Sequence, residues 1–182
     1  MRVMVVYAST HGSTAEIAQR IADRLRQGGD DVAALPVSSV DNLENVEAFV
    51  LGSAIHGRRW LDEAVAFVAR NRQALQKRPL WTFSVGMTHA LPRVFRKMAG
   101  AEETGIMSQL GDLRPCGHQL FSGVVKPGQF PFASRIFLRL VGGRYGDFRD
   151  WSAIDRWAME VSRDLHSLPH GVAERNRRAE GA

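Results

Sequence analysis

The chain has 182 residues and a mass of 20.2 kDa, with 45% hydrophobic and 24% charged residues, which indicates one ordinary globular domain. Its single cysteine, Cys116, excludes an intrachain disulfide and a metal site built on cysteine pairs. Since no stretch approaches the roughly 20 apolar residues of a membrane-spanning helix and no signal-peptide pattern opens the chain, a cytoplasmic protein is predicted.

The net charge of +5 is unevenly distributed. Residues 1–57 have 4 basic and 7 acidic side chains, whereas residues 58–182 have 20 and 12. A basic region can meet nucleic acid, anionic lipid or an acidic small molecule. Because no recognition-helix pattern accompanies the charge, no nucleic-acid partner is predicted.

Apolar runs alternate with segments of helical period along most of the chain. The predicted strands are residues 2–7, 32–37, 48–52, 80–85 and 119–125, and the predicted helices are residues 14–27, 61–75, 102–110 and 151–165. Nearly continuous hydrophobicity is typical of strands covered on both faces. Strands that alternate with helices predict an open, doubly wound α/β sheet with five parallel strands.

One domain is predicted over residues 1–166. An insertion at about 126–149 separates the fifth strand from the last helix and is too long to be a plain loop. Residues 167–182 contain almost no apolar side chains and are predicted to be a disordered tail.

The strongest local signal lies between the first strand and the first helix, where a doubly wound sheet binds its ligands. Four hydroxyl side chains occur there within six residues: Ser9, Thr10, Ser13 and Thr14. Gly12 lets a ligand approach the backbone closely, and the first amides of the helix have no helical partner. The segment has no lysine and no G-x-G-x-x-G, which excludes a nucleoside-triphosphate loop and a dinucleotide fingerprint. A monophosphate site is predicted.

The alternative interpretation of this segment is a capped helix after a tight turn. Ser13 and Glu16 have the spacing of a capping box, in which each side chain bonds the other residue's amide.

The string Ser9-Thr10-His11-Gly12-Ser13-Thr14 resembles the phosphate loop of the flavodoxin family, T/S-x-T-G-x-T, with His11 in place of a threonine. The resemblance implies strand order 2-1-3-4-5, FMN as cofactor, and loops after strands three and four that hold the isoalloxazine ring. By that resemblance one wall of the flavin site is Ser53, Ala54, Ile55, His56 and Gly57, and the other is Gly86, Met87, Thr88 and His89.

No general base can be assigned from the sequence. His56 and His89 are the titratable candidates nearest the implied flavin, and solvated loop histidines are the alternative for both. Trp60 could stack on the flavin, but core packing is favoured because Trp60 is predicted to begin a helix with Leu61. Trp81 and Phe83 are expected in the core, and Cys116 and His118 are expected to be structural.

The insertion is basic and amphipathic. It contains Arg135 and Arg139 without any acid over residues 126–146, and Phe132, Ile136 and Leu140 form one apolar row. This pattern predicts a short helix that lies at a membrane surface or covers a hydrophobic ligand. The alternative is a helix packed on the sheet edge.

Several segments of the chain, in their order along the sequence, resemble a narrower flavodoxin-like family, the quinone-dependent protoporphyrinogen IX dehydrogenases. The matching segments are Ser122-Gly123-Val124-Val125, the run from Phe130 to Leu140, Gly142-Gly143 and Asp150-Trp151, and the resemblance covers residues 1 to about 165.

The narrower resemblance implies an FMN oxidoreductase that oxidises a reduced porphyrin at the inner face of the membrane, with a membrane quinone as acceptor. Its substrate or anionic lipid contacts would be Arg58, Arg59, Lys126, Phe132, Arg135, Ile136, Arg139 and Leu140. A flavodoxin-type electron-transfer protein and an FMN-dependent quinone reductase are the alternatives. The sequence does not predict an oligomeric state.

Overall fold

The structure, a computed structural model, describes residues 1–87, 99–126, 128 and 145–167. Its strands are β1 (Arg2–Ala8), β2 (Asp31–Pro36), β3 (Ala48–His56), β4 (Arg59–Trp60), β5 (Leu80–Gly86), β6 (Gly117–Ser122), β7 (Val124–Val125) and β8 (Gly146–Asp147). Its helices are α1 (Ser13–Gln27), α2 (Asp62–Arg70), α3 (Arg72–Gln76), α4 (Ala99–Leu110) and α5 (Trp151–Ser167), with a 3₁₀ turn at Val37–Ser39.

Within the described residues, five strands form a parallel sheet in the order β2-β1-β3-β5-β6. The predicted fold class is therefore confirmed, as is the order 2-1-3-4-5 among the five predicted strands. The short strand β4 pairs antiparallel with the end of β3, and β7 pairs with β8 in a separate ribbon.

The sheet is covered on both faces, which explains its nearly continuous apolar strands. Val3 and Val5 of β1 point into the core beneath α1 and α5, whereas Met4 and Val6 point into the core beneath α2, α3 and α4. The stripe of apolar residues that predicted α1 is buried against the first of these faces.

Two predicted elements are divided in the structure. The single helix predicted over residues 61–75 is α2 followed by α3, because Asn71 (φ −109°, ψ 16°) leaves the helical conformation and its side chain bonds Phe67 O at 3.0 Å. The fifth predicted strand is interrupted at Gly123, after which β7 leaves the sheet to pair with β8.

Parallel register brings the ends of the central strands to one edge. Ala8 is paired with Ser53 across β1 and β3, and Ala54 is paired with Val85 across β3 and β5. Since neighbouring strands lie about 4.8 Å apart, the segments that follow β1, β3 and β5 meet at this edge.

Some predictions fall outside the described residues. They include the insertion helix with Phe132, Arg135, Ile136, Arg139 and Leu140, the loop residues Thr88 and His89, and the tail from residue 168 onward. Helix α5 extends two residues further than predicted, to Ser167. In the part of the chain that is described, no helix has both the length and the apolar character needed to span a membrane.

An ion-pair network joins the first and last helices. Both carboxylate oxygens of Asp155 accept hydrogen bonds from Arg20, at 2.7 and 2.8 Å, and Arg24 donates a further bond. The bonds from Arg24 and Arg20 hold the pKa of Asp155 well below its usual range. A carboxyl whose pKa is lowered by folding adds stability above its unfolded pKa of about 3.9, and this contribution is lost as the pH falls below that value.

Asp155→Asn is therefore expected to lower the thermal midpoint at pH 7 by about 2–4 °C. The difference from wild type is expected to narrow at pH 3, where the unfolded wild-type carboxyl is protonated. Thermal unfolding at both pH values measures this, with the exposed Asp164→Asn on the same helix as the control. If the difference in thermal midpoint between wild type and Asp155→Asn is the same at pH 7 and pH 3, the ionised carboxylate of Asp155 does not contribute the expected stability.

Candidate functional site

The loop between β1 and α1 is stabilised by a hydrogen bond between two of its own residues. The amide of Gly12 donates to Oγ of Ser9 at 3.1 Å, and Gly12 itself adopts a left-handed conformation with φ of 89°. An ideal Cβ at Gly12 would meet no atom within 4 Å, so the backbone conformation, and not crowding, makes glycine the favoured residue there. Thr10 and His11 are exposed at the tip of the loop.

The capping box that the spacing of Ser13 and Glu16 indicated as an alternative is not formed. The N-cap of α1 is Gly12, Ser13 is the first helical residue, and no side chain caps the helix. The amide of Glu16 bonds the carbonyl of Gly12 at 3.0 Å, while the side chain of Glu16 pairs with the distant Arg149. Local spacing could not reveal this because the two partners are 133 residues apart.

The start of α1 has unused hydrogen-bonding groups. The side chain of Thr14 is fully buried, and its hydroxyl has no hydrogen-bond partner among the described residues. The first amides of a helix have no partner within the helix, and here no side chain replaces one. A buried hydroxyl without a partner costs about 1–3 kcal/mol, so an anion bonded by these groups would remove that cost. These groups fit a phosphate.

The segment after the third strand differs from the predicted loop. Strand β3 continues through Ser53, Ala54, Ile55 and His56 and turns back into β4. Gly57 and Arg58 form the turn with φ values of 58° and 66°, the positive values that a type I′ hairpin requires. The predicted flavin wall is thus one side of a hairpin, with His56, Gly57, Arg58 and Arg59 exposed near its tip.

The base of this hairpin is tied to the core. Oγ of Ser53 accepts from the amide of Leu61 at 3.1 Å and donates to the carbonyl of Ala54 at 2.9 Å. Trp60 lies in β4, is buried, and donates from Nε1 to Oγ of Ser84 at 2.7 Å. Core packing of Trp60 is therefore confirmed, although it does not begin a helix as the sequence predicted. The hydroxyl of Ser53 serves the fold, and its part in flavin binding stays a prediction.

Of the remaining residues, the two expected in the core are confirmed there, whereas the structural roles of Cys116 and His118 stay predictions. Trp81 and Phe83 are buried in the sheet. Nδ1 of His118 lies 2.9 Å from Oγ1 of Thr82 on the adjacent strand, while Cys116 is exposed and unpaired with sulfur.

Gly123 brings the end of the sheet close to the phosphate loop. Its amide donates to the carbonyl of Gly86 at 2.9 Å, and a Cβ at this position would lie 2.9 Å from Val85 and 3.1 Å from Oγ of Ser13. A side chain there would push β6 away from α1. Gly86 and the exposed Met87 end β5 at the same edge, next to residues that the structure does not describe.

A cavity of about 540 Å³ opens beside the start of α1. One side is formed by His11, Ser13 and Glu16. The other is formed by the β7–β8 ribbon and the residues next to it, among them Lys126, Tyr145, Asp147 and Arg149. Sequence reasoning missed Tyr145, Asp147 and Arg149. No local pattern marks them, because only the β7–β8 pairing places them beside the loop.

Arg149 organises the charges at this cavity. It donates to both oxygens of Asp147, at 2.9 and 2.6 Å, and also to Glu16. The hydrogen bond to Asp147 is the main cause that raises the pKa of Arg149, and the same bond lowers the pKa of the Asp147 carboxyl, with a smaller contribution from Lys126. The Asp147 carboxylate and the Arg149 guanidinium therefore remain ionised at neutral pH.

The family model for the flavodoxin domain matches residues 4–150, which is most of the chain and includes the whole of this edge. The chain belongs to the flavodoxin domain family. No curated protein matches the sequence.

Solved structures show the same fold. A cysteine-to-serine mutant of flavodoxin from Pseudomonas aeruginosa is 17% identical with a TM-score of 0.59, covering 92% of this chain and 100% of that one. Oxidised flavodoxin 1 from Bacillus cereus is 14% identical with a TM-score of 0.59, covering 93% and 100%. The rubredoxin oxygen:oxidoreductase of Desulfovibrio gigas is 16% identical with a TM-score of 0.55, covering 91% of this chain and 36% of that one. At these identities the likeness is one of fold.

In this flavodoxin fold the structure brings three groups of predicted site residues to one edge of the sheet: the loop from Ser9 to Thr14, the hairpin from Ser53 to Gly57, and Gly86 with Met87. The backbone positions of these groups are those from which parallel α/β sheets bind ligands. Which of the side chains contact a cofactor stays a prediction.

Proposed function

We propose that this chain is an FMN-dependent oxidoreductase that oxidises protoporphyrinogen IX to protoporphyrin IX with a membrane quinone as acceptor. The observation that supports it most is the loop between β1 and α1, with the buried, unpartnered hydroxyl of Thr14 at the carboxyl edge of a flavodoxin sheet. FMN, when bound, supplies a two-electron acceptor whose redox chemistry belongs to the isoalloxazine ring.

The residues of the loop would hold the phosphate. The amides at the start of α1 donate to an anion, and the hydroxyls of Ser9, Ser13 and Thr14 add neutral donors. The absence of any lysine in the segment from Ser9 to Thr14 suits a single phosphate group, whose charge is met by amides and hydroxyls. We therefore assign FMN and not FAD as the expected flavin.

The hairpin of β3 and β4 would form one wall of the ring site. Its strand pairing with β4 and the buried Trp60 anchor the exposed backbone near His56 and Gly57 at this edge of the sheet. Arg58 and Arg59 at the tip present cations beside this wall, where carboxylates of a porphyrin substrate could be paired. His56, exposed on the same hairpin, is the described histidine that could exchange a proton there.

Conversion of the porphyrinogen to the porphyrin removes six electrons and six protons, which reduce three quinone molecules to three quinols. The quinone dissolves in lipid, so the reaction requires contact with a membrane surface. The basic charge of residues 58–182 and the amphipathic pattern of the insertion support such a contact.

A flavodoxin-type electron shuttle is the second candidate, because the chain covers 99–100% of the length of several small flavodoxins. A net charge of +5 and the extra basic segment favour the enzyme, since a shuttle needs no surface for a lipid-soluble acceptor. An FMN-dependent quinone reductase would share the cofactor site and the quinone but not the porphyrinogen.

Charge reversal in the insertion separates the enzyme from the shuttle. In Arg135→Glu/Arg139→Glu, binding to anionic vesicles is expected to fall tenfold or more, because each basic residue near such a surface contributes about 1 kcal/mol. FMN content is expected to persist, and porphyrinogen oxidation coupled to menaquinone is expected to fall in parallel with vesicle binding.

The measurements are co-sedimentation with anionic vesicles at low and high salt and an anaerobic assay of porphyrinogen oxidation with menaquinone. Arg70→Glu/Arg163→Glu is the matched control, since it makes the same charge change at exposed positions on α2 and α5. Wild-type protein that neither binds vesicles nor oxidises porphyrinogen with menaquinone would favour the shuttle. A double variant with normal turnover would show that the insertion is a structural appendage of the enzyme.

A further inference from the structure

Arg149 connects the end of the insertion to the first turn of α1. It lies between β8 and α5, and its side chain is 10% exposed. Besides its paired bonds to Asp147, the guanidinium donates to Glu16 and lies 4.6 Å from the ring centroid of Trp151. Four contacts therefore fix this cation beside the loop that begins α1.

The carboxylate of Glu16 lies close to the predicted phosphate site, so a cation that pairs with it affects phosphate binding. Glu16 lies three residues after Ser13, about 4.5 Å further along the helix axis. A carboxylate in the first turn stabilises the helix through the macrodipole, but the same positive end attracts a phosphate. Two anions within the screening length of about 8 Å repel each other, so an unpaired Glu16 would oppose phosphate binding.

Lys126 is another cation that lines the cavity, and its charge acts on Asp147. Asp147 adds a second carboxylate on the far side of the cavity, and its bidentate pairing with Arg149 orients the guanidinium towards α1. Glu16 is 63% exposed, and among the described residues its ion-pair partner is Arg149.

We infer that Arg149 is a positioning residue for the phosphate site, which offsets the carboxylate of Glu16 and holds the first turn of α1 so that a phosphate monoester binds there. This inference rests on the proposed function, because it takes the flavin phosphate as the ligand of the loop. It assigns to the β8–α5 segment a role in cofactor affinity that is separate from the contacts of the flavin ring.

The test compares two flavins that differ only by the phosphate. In full-length Arg149→Gln, FMN is expected to bind about tenfold more weakly than in wild type, equivalent to about 1.4 kcal/mol, whereas riboflavin affinity changes less than about threefold. Salt supplies a second readout, since 1 M salt reduces the screening length to about 3 Å. The difference between wild type and variant for FMN is expected to shrink at that salt concentration.

Removal of the opposing charge gives a rescue. Glu16→Gln/Arg149→Gln is expected to bind FMN within about threefold of wild type, and Glu16→Gln alone is expected to bind it about threefold more tightly. Glu16→Gln changes one exposed side chain, so it keeps the test decisive even if Arg149→Gln fails to fold. Arg149→Lys, which keeps the charge, is expected to remain closer to wild type than Arg149→Gln.

Several outcomes overturn the inference. They are unchanged FMN affinity in Arg149→Gln, equal losses for FMN and riboflavin, a double variant that is not rescued, or Glu16→Gln that binds FMN no more tightly than wild type. Tight wild-type binding of FMN with any of these results rejects only the role of Arg149. Wild-type protein that binds FMN no better than riboflavin rejects the proposed phosphate site and the inference with it.

Discussion

In Ser9→Ala/Thr14→Val, FMN binding is expected to weaken more than a hundredfold, while riboflavin binding changes little. Each hydrogen bond to a charged phosphate contributes about 1.5–3 kcal/mol, and the double variant removes two hydroxyl donors. Valine keeps the volume of Thr14, which is fully buried, so the effect on affinity is separated from a packing defect. Fluorescence titration of the apoprotein with FMN and riboflavin measures both affinities.

The thermal stability of the single variant Thr14→Val shows whether the hydroxyl of Thr14 serves ligand binding or the fold. Since the hydroxyl of Thr14 has no partner among the described residues, Thr14→Val alone is not expected to lower the thermal midpoint of the apoprotein. Ser38→Ala/Ser39→Ala, at two exposed serines of the 3₁₀ turn, is the control for hydroxyl removal. Unchanged FMN affinity in Ser9→Ala/Thr14→Val would reject the assignment of this loop to the phosphate.

The largest expected effect on stability is at Gly52. A Cβ there would lie 2.0 Å from Cζ of Phe83, whose ring is buried and packs with Phe121 and Trp157 at centroid distances of 6.1 Å. Because these rings leave Phe83 little room to move, Gly52→Ala is expected to lower the free energy of unfolding by about 1–3 kcal/mol. This corresponds to a loss of about 3–10 °C in the thermal midpoint.

Gly128→Ala provides the matched control for this substitution. A Cβ at Gly128 meets nothing within 4 Å and its φ is not in the left-handed region, so its thermal midpoint is expected to stay near that of wild type. Equal midpoints for the two variants would show that Phe83 can relax away from Gly52. The Phe83→Leu background tests the cause directly, because the penalty of Gly52→Ala is expected to shrink when the ring is absent.

Gly52 also explains why the predicted end of the third strand is wrong. The sequence pattern ended the third strand at this residue, because glycine often marks the end of an element. In the structure Gly52 lies within β3, and its missing side chain makes room for Phe83 of the neighbouring strand. The pattern was sound as a local signal, but the reason for the glycine is a contact between residues 31 positions apart, which the local sequence does not show.

The first strand and first helix were predictable for a different reason. The apolar run of β1 and the row of Ile17, Ile21 and Leu25 have the periods of a buried strand and of an amphipathic helix, and both periods are set by backbone geometry. The hydroxyls and glycine of the loop between them are equally local. Their grouping near one helix start could therefore be read from consecutive residues.

By itself, the amino-acid sequence determined the alternation of strands and helices, the five-stranded α/β fold and the hydroxyl-rich loop before α1, because each depends on residues that are close together in the chain. Only the tertiary structure decided that β3 turns back as a hairpin, that Trp60 bonds Ser84, and that Arg149 pairs with Glu16. These features depend on how the sheet twists and on which loops its packing brings together. Such long-range contacts leave no period in the sequence, since either partner alone is an ordinary tryptophan, serine, arginine or glutamate.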